Sequence, residues 1–170
     1  NQYNGGISIM SELRTNRIIP RDGLPSGSYG GIIQVKQVTT DQQVEASFAS
    51  ETAVLTLAIT PTRSDSKILV CVNCCGVGSR DTSTRLSLRI KRDSTRIWAI
   101  GNYVGNNLSS GSETHPSGMY LDSPATTSAV TYTLTGTRTG GSNNCYFNHM
   151  DSSGVGSQAG SSMTLMEVSG

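Results

Sequence analysis

From Val130 to Thr135, apolar and threonine side chains alternate without a break. Val130, Tyr132 and Leu134 fall on one side, and Thr131, Thr133 and Thr135 on the other. A period of two belongs to a β-strand with one face in a core and one in water. Ahead of it, Asp122-Ser123-Pro124 reads as a turn, because Asp can bond its own backbone and Pro fixes φ. Behind it, Gly136 and then Gly140-Gly141 release the chain. This pattern recurs along most of the sequence, with loops rich in Gly, Ser, Thr and Asn between the strands, and it confines the chain to an all-β fold.

The recurrences begin at Ile32. GIIQVKQV places Ile33 and Val35 on one side, Gln34 and Lys36 on the other. A longer strand from Thr52 to Thr60 stops at Pro61, and Arg63 to Ser66 makes a turn. KILVCVNCCGVG is apolar on both faces, which predicts a central strand that needs two covers. TRLSLRIKR sends Leu86, Leu88 and Ile90 inward and Ser87, Arg89 and Lys91 outward. Asp93-Ser94 then turns it into TRIWAIG as a hairpin. Gly101 to Ser117 reads as a long polar loop, and GTRTGGSNN as a hairpin loop. GMYL, NCYFNHM and MTLMEV complete about ten strands at the spacing of a sandwich. The segment DQQVEASFASET has weak helical character at most, given its β-branched and Ser content.

Residues 1–31 differ. Ile7, Ile9, Leu13, Ile18 and Ile19 are sparse apolar points among Pro20, Gly23, Pro25 and Gly27. So many breakers cannot build a core, yet a pure linker carries fewer apolar side chains. The expectation is an extended N-terminal arm over 1–31, docking on a partner surface, and a β-sandwich knob over 32–170. Because the chain opens at Asn1 rather than Met, its true N-terminus is expected upstream or trimmed.

Apolar residues make up 35% of the chain and charged residues 15%, both low for a globular domain. A chain with little core of its own gains by burying surface against other copies. The formal net charge of +1 offers no electrostatic case for nucleic acid. No apolar run approaches a membrane span, so insertion is not expected.

Several segments together resemble the terminal domain of tail-fibre and related virion structural proteins of tailed phages, cyanophages especially. They are IIQV, TLAITPTRSDSKILV, LDSPATTSAVTYTLTG and SSMTLMEV, with SELRTNRIIPRDG similar to the segment preceding such domains. The resemblance covers roughly residues 30 to 169 and is most specific in the ITP-turn-SKILV hairpin and the SPATTSAVTYTL strand. It implies a jelly-roll-like antiparallel β-sandwich related in shape to C1q and tumour necrosis factor modules. It also implies a homotrimer, a place in the virion after assembly in the host cytoplasm, and contact with other virion proteins through the arm. No catalytic residues carry over.

Chemical candidates are few. Cys71, Cys74, Cys75, Cys145 and His149 form the one set with metal-ligand character. Neighbours on a strand face opposite sides, so reduced, buried thiols with no metal and no cofactor are the expectation. Serines with His115 and His149 lack a nucleophile-elbow motif, so the chain is expected not to be an enzyme. Asp93, Asp122 and Asp151 read as turn residues. Arg85, Arg89, Lys91, Arg92 and Arg96 cluster along one hairpin, read first as a solvated face or edge guard, and secondarily as a patch for anionic glycan. Tyr103, His115, Tyr146 and His149 stand as candidate loop contacts to a host-surface glycan or protein. Of Tyr146 and Phe147, adjacent on a strand, one must face the core.

Overall fold

A computed structural model describes residues 31–79, 83–104, 114–149 and 160–170. The arm residues Ile7, Ile9, Leu13, Ile18 and Ile19 lie outside them. Among the described residues there is no helix, and eleven strands follow one another. They are β1 (Ile32–Thr40), β2 (Val44–Ala46), β3 (Thr52–Ile59), β4 (Lys67–Asn73), β5 (Gly78–Ser79), β6 (Arg85–Arg92), β7 (Thr95–Val104), β8 (Ser117–Asp122), β9 (Val130–Gly140), β10 (Cys145–Phe147) and β11 (Ser161–Val168).

Two four-stranded sheets do most of the work. The first runs β1-β11-β4-β8 and the second β3-β9-β6-β7, all pairs antiparallel. Numbering only these long strands in chain order, the sheets read 1-8-3-6 and 2-7-4-5. That is the strand order of a jelly roll, in which each sheet takes strands from both ends of the chain. A third, small sheet, β2-β10-β5, adds Cys145 and Phe147 to the same core.

Alternation decides which side chains enter that core. From the first sheet come Ile68, Val70, Val72, Met163 and Leu165, and from the second Leu55, Ile59, Leu86, Leu88, Ile90, Val130, Tyr132 and Leu134. The inward set read from β6 and β9 is therefore the observed one. Asp93, at φ 52°, turns β6 into β7 as expected, and its backbone N–H and carboxylate both bind Thr131 of β9. Gly136 has a packing role: a Cβ there would lie 2.8 Å from the ring of buried Phe48.

Three expectations need correction. β3 and β4 do not form a hairpin, because they belong to different sheets and the Pro61–Ser66 segment is a corner between layers. Residues 136–140 are not loop but the end of β9, paired with β6 as far as Gly140. In keeping with its weak helical character, the segment 41–52 forms no helix; it contains β2 and holds Phe48 at φ 46°. Asp122 is not a turn residue in water. It ends β8 pointing inward, and its Oδ2 accepts the Tyr132 hydroxyl at 2.6 Å. Arg92 Nη1 donates to both of its carboxylate oxygens, at 2.9 and 2.8 Å.

A second buried carboxylate lies on the same inward row. Gln34, Glu167, Ile68 and Asp122 are consecutive partners across the first sheet. Glu167 accepts from Gln34 Nε2 at 2.6 Å, and from the Thr62 N–H and hydroxyl at 2.7 Å each. Burial pushes its carboxyl up, but these hydrogen bonds outweigh that and hold it down at about 2. A depressed carboxyl contributes stability above its unfolded value of 4.5, and that contribution is lost as pH falls through the folded value. Acid titration from pH 5 to about pH 2 should therefore destabilise the wild type. Glu167→Gln should be less stable at neutral pH but show a shallower acid slope by calorimetry. Tyr132→Ala should cost about 3 kcal/mol or more in chemical denaturation, as truncation of a fully buried ring does.

Candidate interaction surface

The two long sheets differ on the faces they turn away from the core. On the first sheet, Val35, Met166, Leu69 and Leu121 are consecutive cross-strand partners, so they form one outward row. The next row is Gln37, Thr164, Cys71 and Met119, and the next Thr39, Ser162, Asn73 and Ser117. No charged side chain occurs in these rows. Met119 is 70% exposed, Val35 54% and Leu121 51%. Ile32 and Ile33 continue the apolar end at 58% and 43%. Lys67 stands at the border, its Nζ on Ser123 Oγ at 3.0 Å. A contiguous apolar field of this kind, grading into uncharged polar rows, is uncommon on a surface left to water.

The outer face of the second sheet has the opposite character. Thr56, Thr133 and Lys91 form a cross-strand row, with Thr131 and Ala58 beside it and Arg89 opposite Thr135. Lys91 Nζ pairs with Glu51 Oε2 at 2.9 Å, and this contact does most to hold the Glu51 carboxyl below its usual range. Arg92, from the same hairpin, is taken by Asp122 instead. The basic hairpin is thus partly a solvated face, as expected, and partly a clamp between sheets.

The candidate loop residues are not brought together into one exposed platform. Tyr146 is buried, its hydroxyl donating to Glu45 Oε1 at 2.8 Å, and Phe147 beside it is buried as well. The His149 ring meets Tyr146 edge-on, with centroids 4.9 Å apart. Tyr103 lies in β7 rather than in a loop, and its side chain falls outside the described region. His115 is exposed, with Nδ1 3.3 Å from Cys75 Sγ.

Among the described residues no three His, Cys, Asp or Glu side chains are placed to hold a metal ion. None of the four cysteines forms a disulfide. Burial pushes the Cys74 thiol up to about 12, so it is a poor ligand as well as an inaccessible one.

No protein-family model matches this sequence, and no curated protein does. Among solved structures, it is similar to the infectious bursal disease virus VP2 subviral particle, with TM-score 0.47 and 10% identity. That match covers 79% of this chain and 32% of the other. A second, the Gx strain of the same virus, has TM-score 0.43 and 10% identity over 92% of this chain and 44% of the other. The chain thus spans less than half the length of either. A likeness of this degree carries no argument about role, which rests on the chain's own surfaces.

Sequence reasoning missed the outer face of the first sheet as a unit. Its signal was present in the off-phase apolar residues Ile33, Val35, Leu69, Met119, Leu121 and Met166, but their strand order was not. A chelator should leave the melting temperature unchanged, and a marked fall with EDTA would restore a structural metal at the cysteines.

Proposed function

We propose that this chain is a non-enzymatic structural subunit of a tailed-phage particle, a fibre or appendage knob assembling as a homotrimer. The observation that carries the reading is the contrast between faces. One sheet shows a charge-free apolar field, and the other a threonine-rich and basic surface. A second copy is the occupant that suits the first sheet, because a face without charge meets itself without repulsion. Its apolar rows can then stack like on like around a closed axis. Burying a large apolar side chain that would otherwise be wet contributes about 1.5–3 kcal/mol. Several per subunit support a stable assembly. The virion setting follows from the sequence resemblance.

In such a trimer the first sheets meet at the axis and the second sheets face out. Residues 1–31 would join the knob to a stalk or to the particle. The outward surface would meet a host-surface glycan or protein. An architectural cap or decoration trimer would use the same buried face without a receptor. Cell binding by the isolated protein separates these two readings. A polysaccharide depolymerase is a third reading, excluded if no reducing sugar is released from host polysaccharide.

Light scattering of the chain at micromolar concentration should give a trimer mass. Leu121→Asp should shift it towards monomer, with the far-ultraviolet circular dichroism unchanged. A monomeric wild type would remove the assembly role assigned to the first sheet.

A further inference from the structure

The corner after β4 carries a second arrangement, independent of the assembly face. Cys74 to Val77 is strapped by the segment Thr114 to Pro116. Cys74 N–H donates to the Pro116 carbonyl at 2.9 Å, and Val77 and Thr114 exchange backbone hydrogen bonds at 3.0 and 3.2 Å. The Thr114 hydroxyl adds a bond to the Val77 carbonyl at 2.8 Å. Between these ties, His115 Nδ1 lies 3.3 Å from Cys75 Sγ and accepts the Gly76 N–H at 3.3 Å. With the Gly76 N–H donating to it, Nδ1 is unprotonated, and its one lone pair faces both that N–H and the Cys75 thiol.

Cys75 is held from the other side too. Its N–H donates to Ser161 Oγ at 2.8 Å, and its carbonyl accepts from the Asn148 N–H at 2.9 Å. Gly76 sits at φ +53°, and a Cβ there would meet the His149 carbonyl oxygen at 2.4 Å. The peptide therefore turns where only glycine fits, and the thiol is fixed against the imidazole. The pair is placed before any ligand arrives, as a working nucleophile and base must be.

The other thiols contrast with it. Cys74 and Cys145 are wholly buried. Cys71 is half-buried, and burial alone raises its thiol. Cys75 is half-buried with an exposed imidazole beside it.

The geometry points to Cys75 and His115 as a nucleophilic thiol–imidazole pair that takes small disulfides, making Cys75 a site of covalent thiol modification. In the step, His115 Nδ1 gives up the Gly76 N–H and takes the Cys75 proton, and Sγ attacks one sulfur of the disulfide. The new S–S bond forms as the old one breaks, and the departing thiolate takes the proton back from the imidazole. Cys75 ends as a mixed disulfide and one thiol is released, so the attacking and departing sulfurs exchange oxidation state and no further oxidant is needed.

The test is glutathione disulfide added to the native chain, with the rate at each cysteine followed by peptide mass spectrometry. Cys75 should be modified first, at least about tenfold faster than Cys71. His115→Gln keeps a polar side chain but no imidazole. It should slow Cys75 by about tenfold or more, a modest share of what a positioned base contributes. The Cys71 rate should not move, which controls for unfolding. If His115→Gln speeds Cys71, the pH profile of the wild-type Cys75 rate decides instead. A profile matching that of free glutathione overturns the pair. Equal rates at Cys71 and Cys75, or a Cys75 rate indifferent to His115→Gln, overturn it as well.

Discussion

Two buried carboxylates on one rung hold the sandwich together. Asp122 and Glu167 stand on either side of Ile68 on the inward face of the first sheet. A carboxylate taken from water costs several kcal/mol unless its lone pairs are met. Here they are met by groups from elsewhere in the fold. Tyr132 and Arg92 reach Asp122 from the second sheet, and Thr62 reaches Glu167 from the corner between β3 and β4. The bonds exist only when the layers are in register. The clamp thus penalises sliding of one sheet on the other, which the non-directional packing of Val70, Leu165 and Leu134 would tolerate. The hydroxyl of Tyr132 belongs to this device. Burial first, and its bond to Asp122 second, both push the phenol's titration upward, so it stays a donor.

The same rung explains the unusual outer face. One residue away along each strand lies the outward row Val35, Met166, Leu69 and Leu121. At this rung two charges point in and apolar side chains point out, a local inversion of the ordinary amphipathic strand, while Val70, Met163 and Leu165 keep the rest of the inward face apolar. The inversion is tolerable inside because the carboxylates are fully engaged. Outside, it leaves Val35 and Leu121 exposed, and this is the feature on which the proposed assembly rests. The second sheet keeps the ordinary arrangement, with Lys91 and threonines on its wet side. One fold therefore carries two outer surfaces of opposite chemistry.

The corner at Cys74 to Val77 shows how neighbours in sequence acquire separate roles. Cys74 turns into the core as a small apolar group. Cys75 turns out against His115, which arrives from forty positions further on. Gly76 makes the change of direction possible. The expectation of reduced thiols came from strand faces, but these could not show that Cys75 would meet His115.

Much of the fold was legible because it depends on period. Alternation in 86–92 and 130–135 named the inward residues of the second sheet correctly, since strand geometry sends neighbours to opposite sides whatever surrounds them. Period could not say which strands would be neighbours. The sequence therefore showed Leu69 and Val70 as apolar on both faces, but not that Leu69 would join Val35, Met166 and Leu121 in one exposed row. It placed Asp122 in a turn, because Asp-Ser-Pro is a local signal. The partners that draw Asp122 inward, Arg92 and Tyr132, are on strands of the other sheet. Local alternation and breakers are written into adjacent residues, so the chain alone determined the strands and most of the core. Strand order, the buried carboxylate rung and the Cys75–His115 contact join residues far apart in the chain, and only the closed sandwich brings them together.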